Sequence, residues 1–420
     1  MTQRRCGQLL ALAGLIGLAA ATLLPLPLQT AAAALTPLGC LVCGDYGGVD
    51  VVLNLLLFLP FALGLRLLGL SIPAVVVVGA LFSLLIECLQ LTVIPGRDAS
   101  LSDLLTNTIG SWIGAILASR PALFFTPTKR EAIRLTTAGG ILWLTVQAGT
   151  AVLLQPWVPD ERLQAVWRRP VPGRGQFEGR VTAAFLSGTA APDGWSPTDS
   201  DLTSGIAKAQ MHLELGVVSG REVPEWVPIF ELVGSHGPVL AIQAAGNDLV
   251  FQAAARAYSL RLRGPSLRLA NALPSQPGVP IRLTAHETHG LIWGAWITAR
   301  TQQHASQALS PSFGWSLVTP FRYAYGPEVH LLTGLWIAGL LSPIAYWSAR
   351  SRSHRYRTPA ALVLLVVSGL GLIPLLTGYP AVHWSEWLAA VAGAVTGSAA
   401  HRYATYLEER CDSPSIKESC

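Results

Sequence analysis

Charge is what this sequence has least of. Only 13% of its 420 residues are Asp, Glu, Lys or Arg, about half the soluble share of ~25%. That shortage excludes an ordinary soluble domain. The basic excess is only +5, and no basic patch carries interleaved aromatics, which excludes nucleic acid as a partner. Cysteine is scarce, with 6 residues. Cys6, Cys411 and Cys420 fall at predicted cytoplasmic ends and Cys88 within an apolar run. Cys40 and Cys43 form the CLVC stretch of a loop expected outside, where a disulfide suits an oxidising compartment. A metal site there would need two further ligands, and none is nearby, which leaves a local disulfide or free thiols.

What the chain has instead is apolar length. Its composition is 51% hydrophobic, with a mean hydropathy of +0.44. Runs of about 20 apolar residues span a bilayer, and they recur at roughly 7–26, 49–68, 71–94, 102–119, 133–155, 328–349, 358–376 and 384–405. The first run follows Arg4 and Arg5 and precedes an Ala-rich stretch near Ala31, as a cleaved signal peptide would. A retained helix fits the parity of the later runs. Arg66, Arg120, Lys129, Arg130 and Arg134 lie at the inner ends of these runs, and the basic stretch Arg350 to Arg357 joins two more. The positive-inside rule then places both termini in the cytoplasm. The expected architecture is an α-helical polytopic membrane protein of about eight helices. It divides into residues 1–156 (about five helices), 157–326, 327–406 (three helices) and a cytoplasmic tail, 407–420.

The stretch 157–326 contains no long apolar run. Between Gln210 and Val218, Met211, Leu213, Leu215 and Val217 alternate with polar residues, which predicts a half-buried strand. Residues 228–252 read as three strands with turns at Ser235–Gly237 and Gly246–Asp248. Residues 258–270 and 281–287 read as further short strands. The spacing predicts an extracytoplasmic antiparallel β-sandwich. Asp193, Asp199, Asp201 and Asp248 are possible calcium ligands, but they match no defined loop, and Asp-rich turns account for them equally. The HETH of residues 286–289 is one residue short of a zinc-protease motif and follows a strand.

Polar residues intrude on the second to fourth runs. Asp50 and Asn54 are one helical turn apart, as are Asp103 and Asn107, and Glu87 and Gln90 share a face. Arg97 and Asp98 lie in the loop between the third and fourth runs. Topology brings all eight to the outer leaflet. A carboxylate inside a span is expensive and tends to be paired or functional. Arg97 is a counter-charge for Glu87, Asp98 or Asp103, and a guanidinium suits phosphate or carboxylate. Against this, Asp50, Asp98 and Asp103 sit where carboxylates cap helix starts, and Asn54 and Asn107 suit interhelical hydrogen bonding.

Three ordered blocks carry a family resemblance: DVVLNLLLFLPFALG (50–64), SLLIECLQ (83–90) and GRDASLSDLLTNTIGSWIG (96–114). Together they resemble the VanZ-like family of bacterial membrane proteins. The resemblance implies a polytopic protein of the bacterial inner (cytoplasmic) membrane and a link to glycopeptide-antibiotic resistance, but no reaction. The inserted sandwich resembles concanavalin A-like or laminin-G-like domains, which implies binding of glycan or protein, sometimes with calcium.

Two functional readings follow. The first is a protein that binds or organises a lipid-linked or cell-wall component through Asp50, Asn54, Glu87, Gln90, Arg97, Asp98, Asp103 and Asn107. The second is a membrane enzyme acting on a lipid-linked phosphate or glycan, with Glu87 or Asp103 as general base and Arg97 steering the anion. The last helix pair also echoes the third and fourth. Glu386, Ala390, Gly393 and Gly397 fall at the positions of Asp103, Asn107, Gly110 and Gly114.

Overall fold

The computed structural model describes residues 3–23, 42, 46–94, 99–157, 163–167, 176–197, 205, 210–234, 237–288, 290–351 and 357–412. Arg97, Asp98, Cys40, Cys43, Asp199 and Asp201 lie outside the described residues.

The apolar runs fold as helices: α1 (Gln3–Leu23), α2 (Gly47–Leu67), α3 (Ile72–Thr92), α4 (Leu101–Leu117), the short α5 (Pro121–Phe125) and α6 (Lys129–Leu153). After the β domain come α7 (Val329–Arg350), α8 (Arg357–Val367), α9 (Ile373–Thr377) and α10 (Trp384–Asp412). A π-helical turn, Ser368–Leu372, joins α8 and α9 into one rod. Local chemistry sets several starts. Ser71 accepts from the Ala74 N–H at α3, Ser100 from the Ser102 N–H at α4, and Thr128 with Glu131 forms a capping box at α6. Five helices are long and apolar enough to cross a membrane: Arg4–Leu23, Gly47–Leu67, Ile72–Thr92, Val329–Arg350 and Pro359–Thr377. Three expected spans fall on α4, α6 and α10. Of these, α4 has only 17 residues.

The helices form two bundles. In the first, Gly14 of α1 lies against the Phe61 backbone of α2, and Gly64 of α2 against the Ala11 backbone. Leu18, Phe58, Phe61 and Ile86 form its core. The sequence groups α6 with this bundle, yet α6 packs elsewhere. Its Gly139 meets Ile344 of α7, and its Trp143 covers Gly369 in the π turn. Trp143, Ile337, Leu341, Ile344, Leu370 and Ala390 seal the second bundle.

Between α6 and α7 lie β1 (Gln164–Val166), β2 (Arg180–Leu186), β3 (Thr189–Ala190), β4 (Gln210–Val218), β5 (Val223–Gly234), β6 (Gly237–Gly246), β7 (Asp248–Ala253), β8 (Ser266–Leu269), β9 (Pro280–Thr288), β10 (Leu291–Thr298) and β11 (Gln302–Ala308). They make two sheets, β1-β5-β6-β7-β8 and β11-β10-β9-β4-β2-β3, with every strand pair antiparallel. β4 occupies the predicted residues and buries Met211, Leu213, Leu215 and Val217 against the other sheet. Phe230 and Phe251 are fully buried in the shared core. Residues 258–270 differ from expectation in their first part. A 3-10 turn, Arg256–Leu260, precedes β8 there, closed by Arg261 at φ +53°.

The β domain rests on both bundles. The Leu260 carbonyl sits where a side chain on Gly48 of α2 would point. Arg256 N–H donates to the Gln155 carbonyl at the end of α6. A second 3-10 segment, Pro311–Val318, lies on α6 and α7.

Candidate polar site at the β-domain end of the first bundle

α2 and α4 run side by side in the same direction. Gly110 backs onto Leu55, and one turn on Gly114 backs onto Leu59 and Ala62. The start of α2 touches the β domain, so the start of α4 and the end of α3 lie at that same end of the helices.

There, α3 and α4 are joined by a ladder of polar contacts. Asn107 Nδ2 donates to Ser83 Oγ at 2.9 Å. One turn up, Glu87 Oε2 accepts the Ser100 N–H at 2.7 Å, with the Asp103 carboxylate close enough to repel it. Gln90 Nε2 then donates to the Thr22 carbonyl of α1 at 3.1 Å. Ser83, Glu87 and Gln90 recur at helical spacing, which is why one face of α3 presents all three.

Burial makes this ladder more than a set of struts. Gln90 is 7% exposed and Asn107 is 2% exposed. Each spends its amide N–H on a neighbour, and among the described residues neither Gln90 Oε1 nor Asn107 Oδ1 has a partner. A buried acceptor left unmade costs about 1–3 kcal/mol. Both acceptors lie on the same helix pair as the carboxylates of Glu87 and Asp103.

The structure therefore brings Glu87, Gln90, Asp103 and Asn107 together. Asp50 sits at the start of α2, with Asn54 half-buried one turn further along. Asp50 is approached by a cation that sequence reasoning missed, Arg263 of the β domain. Its guanidinium lies 4.3 Å from the Tyr46 ring centre, and its Nε donates to the Thr319 carbonyl at 2.7 Å. Burial lowers the pKa of Arg263, while Tyr46 and Asp50 act in the opposite sense. Nothing in local sequence links Arg263 to α2, since the contact depends on how the β domain docks. Ser83 was more accessible to reading, because it heads the SLLIECLQ block.

Two turn aspartates are already engaged. Asp193 accepts the Trp167 N–H at 3.0 Å. Asp248 accepts from Arg268 Nε at 2.5 Å and from the Asn271 N–H at 2.8 Å. Neither is arranged with neighbours as a calcium shell, and among the described residues no group of three His, Cys, Asp or Glu could hold a metal. His286 lies on β9 rather than on a helix.

Among known proteins, residues 16–125 match the VanZ/LLP1 family model. No curated protein and no solved structure matches the chain. The matched stretch includes α2, α3 and α4 whole, so the polar ladder belongs to a VanZ-like segment of a multi-pass membrane protein.

Proposed function

We propose that this protein binds a lipid-linked or cell-wall component of the bacterial envelope at the outer leaflet of the cytoplasmic membrane. About eight helices would cross the membrane, with both termini in the cytoplasm. The β domain stands outside, where it engages glycan or another envelope protein. The observation that carries this reading is the pair of buried acceptors, Gln90 Oε1 and Asn107 Oδ1, that have no partner among the described residues, close to Glu87 and Asp103. The orientation is supported by Arg66, Arg120, Lys129, Arg130, Arg134 and Arg350, at helix ends opposite the β domain. A role in the response to glycopeptide antibiotics is compatible with a ligand drawn from the wall.

Purified protein in nanodiscs, offered a lipid-linked disaccharide wall precursor, should melt at a higher temperature. Gln90→Leu should weaken binding about five- to 150-fold, since losing one buried hydrogen bond costs ~1–3 kcal/mol. No shift with the precursor, or an equal shift in the variant, would remove the basis of this reading. Turnover of the precursor that Glu87→Gln abolishes while affinity persists would favour the enzymatic alternative. Impermeant maleimide applied to intact cells should label a single cysteine at Thr377 and not one at Ser353. The reverse would put the site in the cytoplasm.

A further inference from the structure

The two helical bundles share one plan. A single displacement along the chain carries the α2–α4 seam onto the α7–α10 seam. Gly110 backs onto the Leu55 carbonyl, and Gly393 onto the Ala338 carbonyl. Gly114 meets the Leu59 carbonyl and the Ala62 methyl, and Gly397 meets the Ser342 carbonyl and the Ala345 methyl. The same displacement carries Pro60, inside α2, to Pro343, inside α7. A second displacement carries α1 onto α6. Gly14 against Phe61 becomes Gly139 against Ile344, and Leu18, packed with Phe58 and Phe61, becomes Trp143, packed with Leu341 and Ile344. Small-xxx-small spacing is common in membrane helices, so chance would explain one matched glycine pair. It does not explain matched carbonyls, a matched methyl, a matched internal proline and a third helix in register.

The polar site, by contrast, is not preserved. Asn107 is replaced by Ala390 and Asn54 by Ile337, both sealed in the apolar core. Two positions stay polar, with Thr333 for Asp50 and Glu386 for Asp103. Both are buried, at 1% and 2% exposure, and both hold the β domain. Thr333 Oγ1 accepts from Trp315 Nε1 at 3.0 Å, and Glu386 Oε2 accepts from Ser310 Oγ at 2.8 Å. Beside them Gln147 of α6 donates to Ser312 Oγ at 3.2 Å.

We infer that the second bundle is a converted copy of the first, in which the chain's own segment 310–318 occupies the place that a hydroxyl-bearing ligand takes in the first. The segment puts a serine hydroxyl on the carboxylate that stands for Asp103. The first bundle keeps its carboxylates and adds the acceptors of Gln90 and Asn107, so its ligand presents hydroxyl donors, as a neutral sugar headgroup does. A phosphodiester, made only of acceptors, cannot fill them. The ligand class rests on the binding reading above, whereas occupation of the second bundle rests on its own contacts.

Hydrogen exchange on the full-length protein in nanodiscs separates the two. Replacing Ser310 and Ser312 together by alanine should speed amide exchange across 311–318 at least tenfold and leave 83–107 unchanged. Thr333→Val, which removes only the partner of Trp315, should loosen the same segment. Unchanged exchange in both variants would overturn the inference that polar contacts seat this segment. Wild-type protein should gain protection across 83–107 in nanodiscs containing diglucosyl diacylglycerol and none in phosphatidylcholine alone, whose headgroup has a phosphodiester and no hydrogen-bond donor. Protection by phosphatidylcholine but not by the glycolipid would overturn the ligand class and leave envelope binding standing. Protection by neither would overturn the ligand class together with the binding reading beneath it, and the seating of 310–318 would still be decided by the serine variants.

Discussion

Leucine in place of Gly397 should prevent recovery of folded protein, and leucine at Gly110 should do the same. A side chain at 397 begins 2.1 Å from the Ser342 carbonyl oxygen and 2.9 Å from the Tyr346 nitrogen. At 110 it begins 2.5 Å from the Leu55 carbonyl oxygen. Ordinary overpacking costs ~1–3 kcal/mol because neighbouring side chains move aside. Here the obstacle is helix backbone, which cannot move without opening the whole seam. Each seam anchors its bundle, so the expected loss exceeds that range. Gly149 is the control, because nothing lies within 4 Å of a side chain placed there. Gly149→Ala should be neutral or gain up to ~1 kcal/mol from helix propensity. The readouts are the monodisperse yield after detergent extraction and the melting temperature. Gly397→Leu protein that matches Gly149→Ala in both would show that the seam does not depend on backbone contact.

Much of this arrangement is written in local sequence. The strict alternation of 210–218 dictates β4 because a strand has period two, and one face meets the core. The paired polar residues of α3 and α4 are legible for the same reason at helical period. What local sequence leaves out is set by distant packing. Residues 258–263 alternate like a strand, with Tyr258, Leu260 and Leu262 set between Ser259, Arg261 and Arg263, yet 256–260 wind into a 3-10 turn against α2. The burial of α6 against α7 rather than α2 depends on Trp143 filling the space above Gly369, far along the chain.

The candidate site divides in the same way. Glu87, Gln90, Asp103 and Asn107 stand out because polar groups are rare in apolar helices. Arg263 and Thr22 do not, since an arginine on a soluble face and a backbone carbonyl carry no local signal. The echo between the bundles was visible only through Gly393, Gly397 and Glu386. An apolar replacement such as Ile337 looks like any membrane-helix residue until the contacts align it.

Raising the pH from about 5 to about 8 should destabilise the β domain, by an amount a single residue controls. Glu287 points into the core from β9 and is 4% exposed. Burial raises its pKa to about 7 from the ordinary 4.5. Between those values the unfolded chain has released the proton and the folded chain retains it, so the folded state binds more protons and stability falls as pH rises. Below 4.5 both forms are protonated and the penalty is absent. Above 7 it is fully present, at about 3 kcal/mol for a shift of this size. Tyr379, a buried neighbour, keeps its own pKa raised through burial and the Glu287 charge, so it stays neutral across this window. His286 opposes the trend at the acid end, since burial and then His212 lower its pKa and favour folding once it is neutral. Glu287→Gln should therefore flatten the decline between pH 5 and 8 and raise the melting temperature at pH 8, while leaving the histidine slope at lower pH. Melting curves of wild type and variant across that range decide the matter. Parallel curves would mean that Glu287 finds compensation that burial alone does not provide.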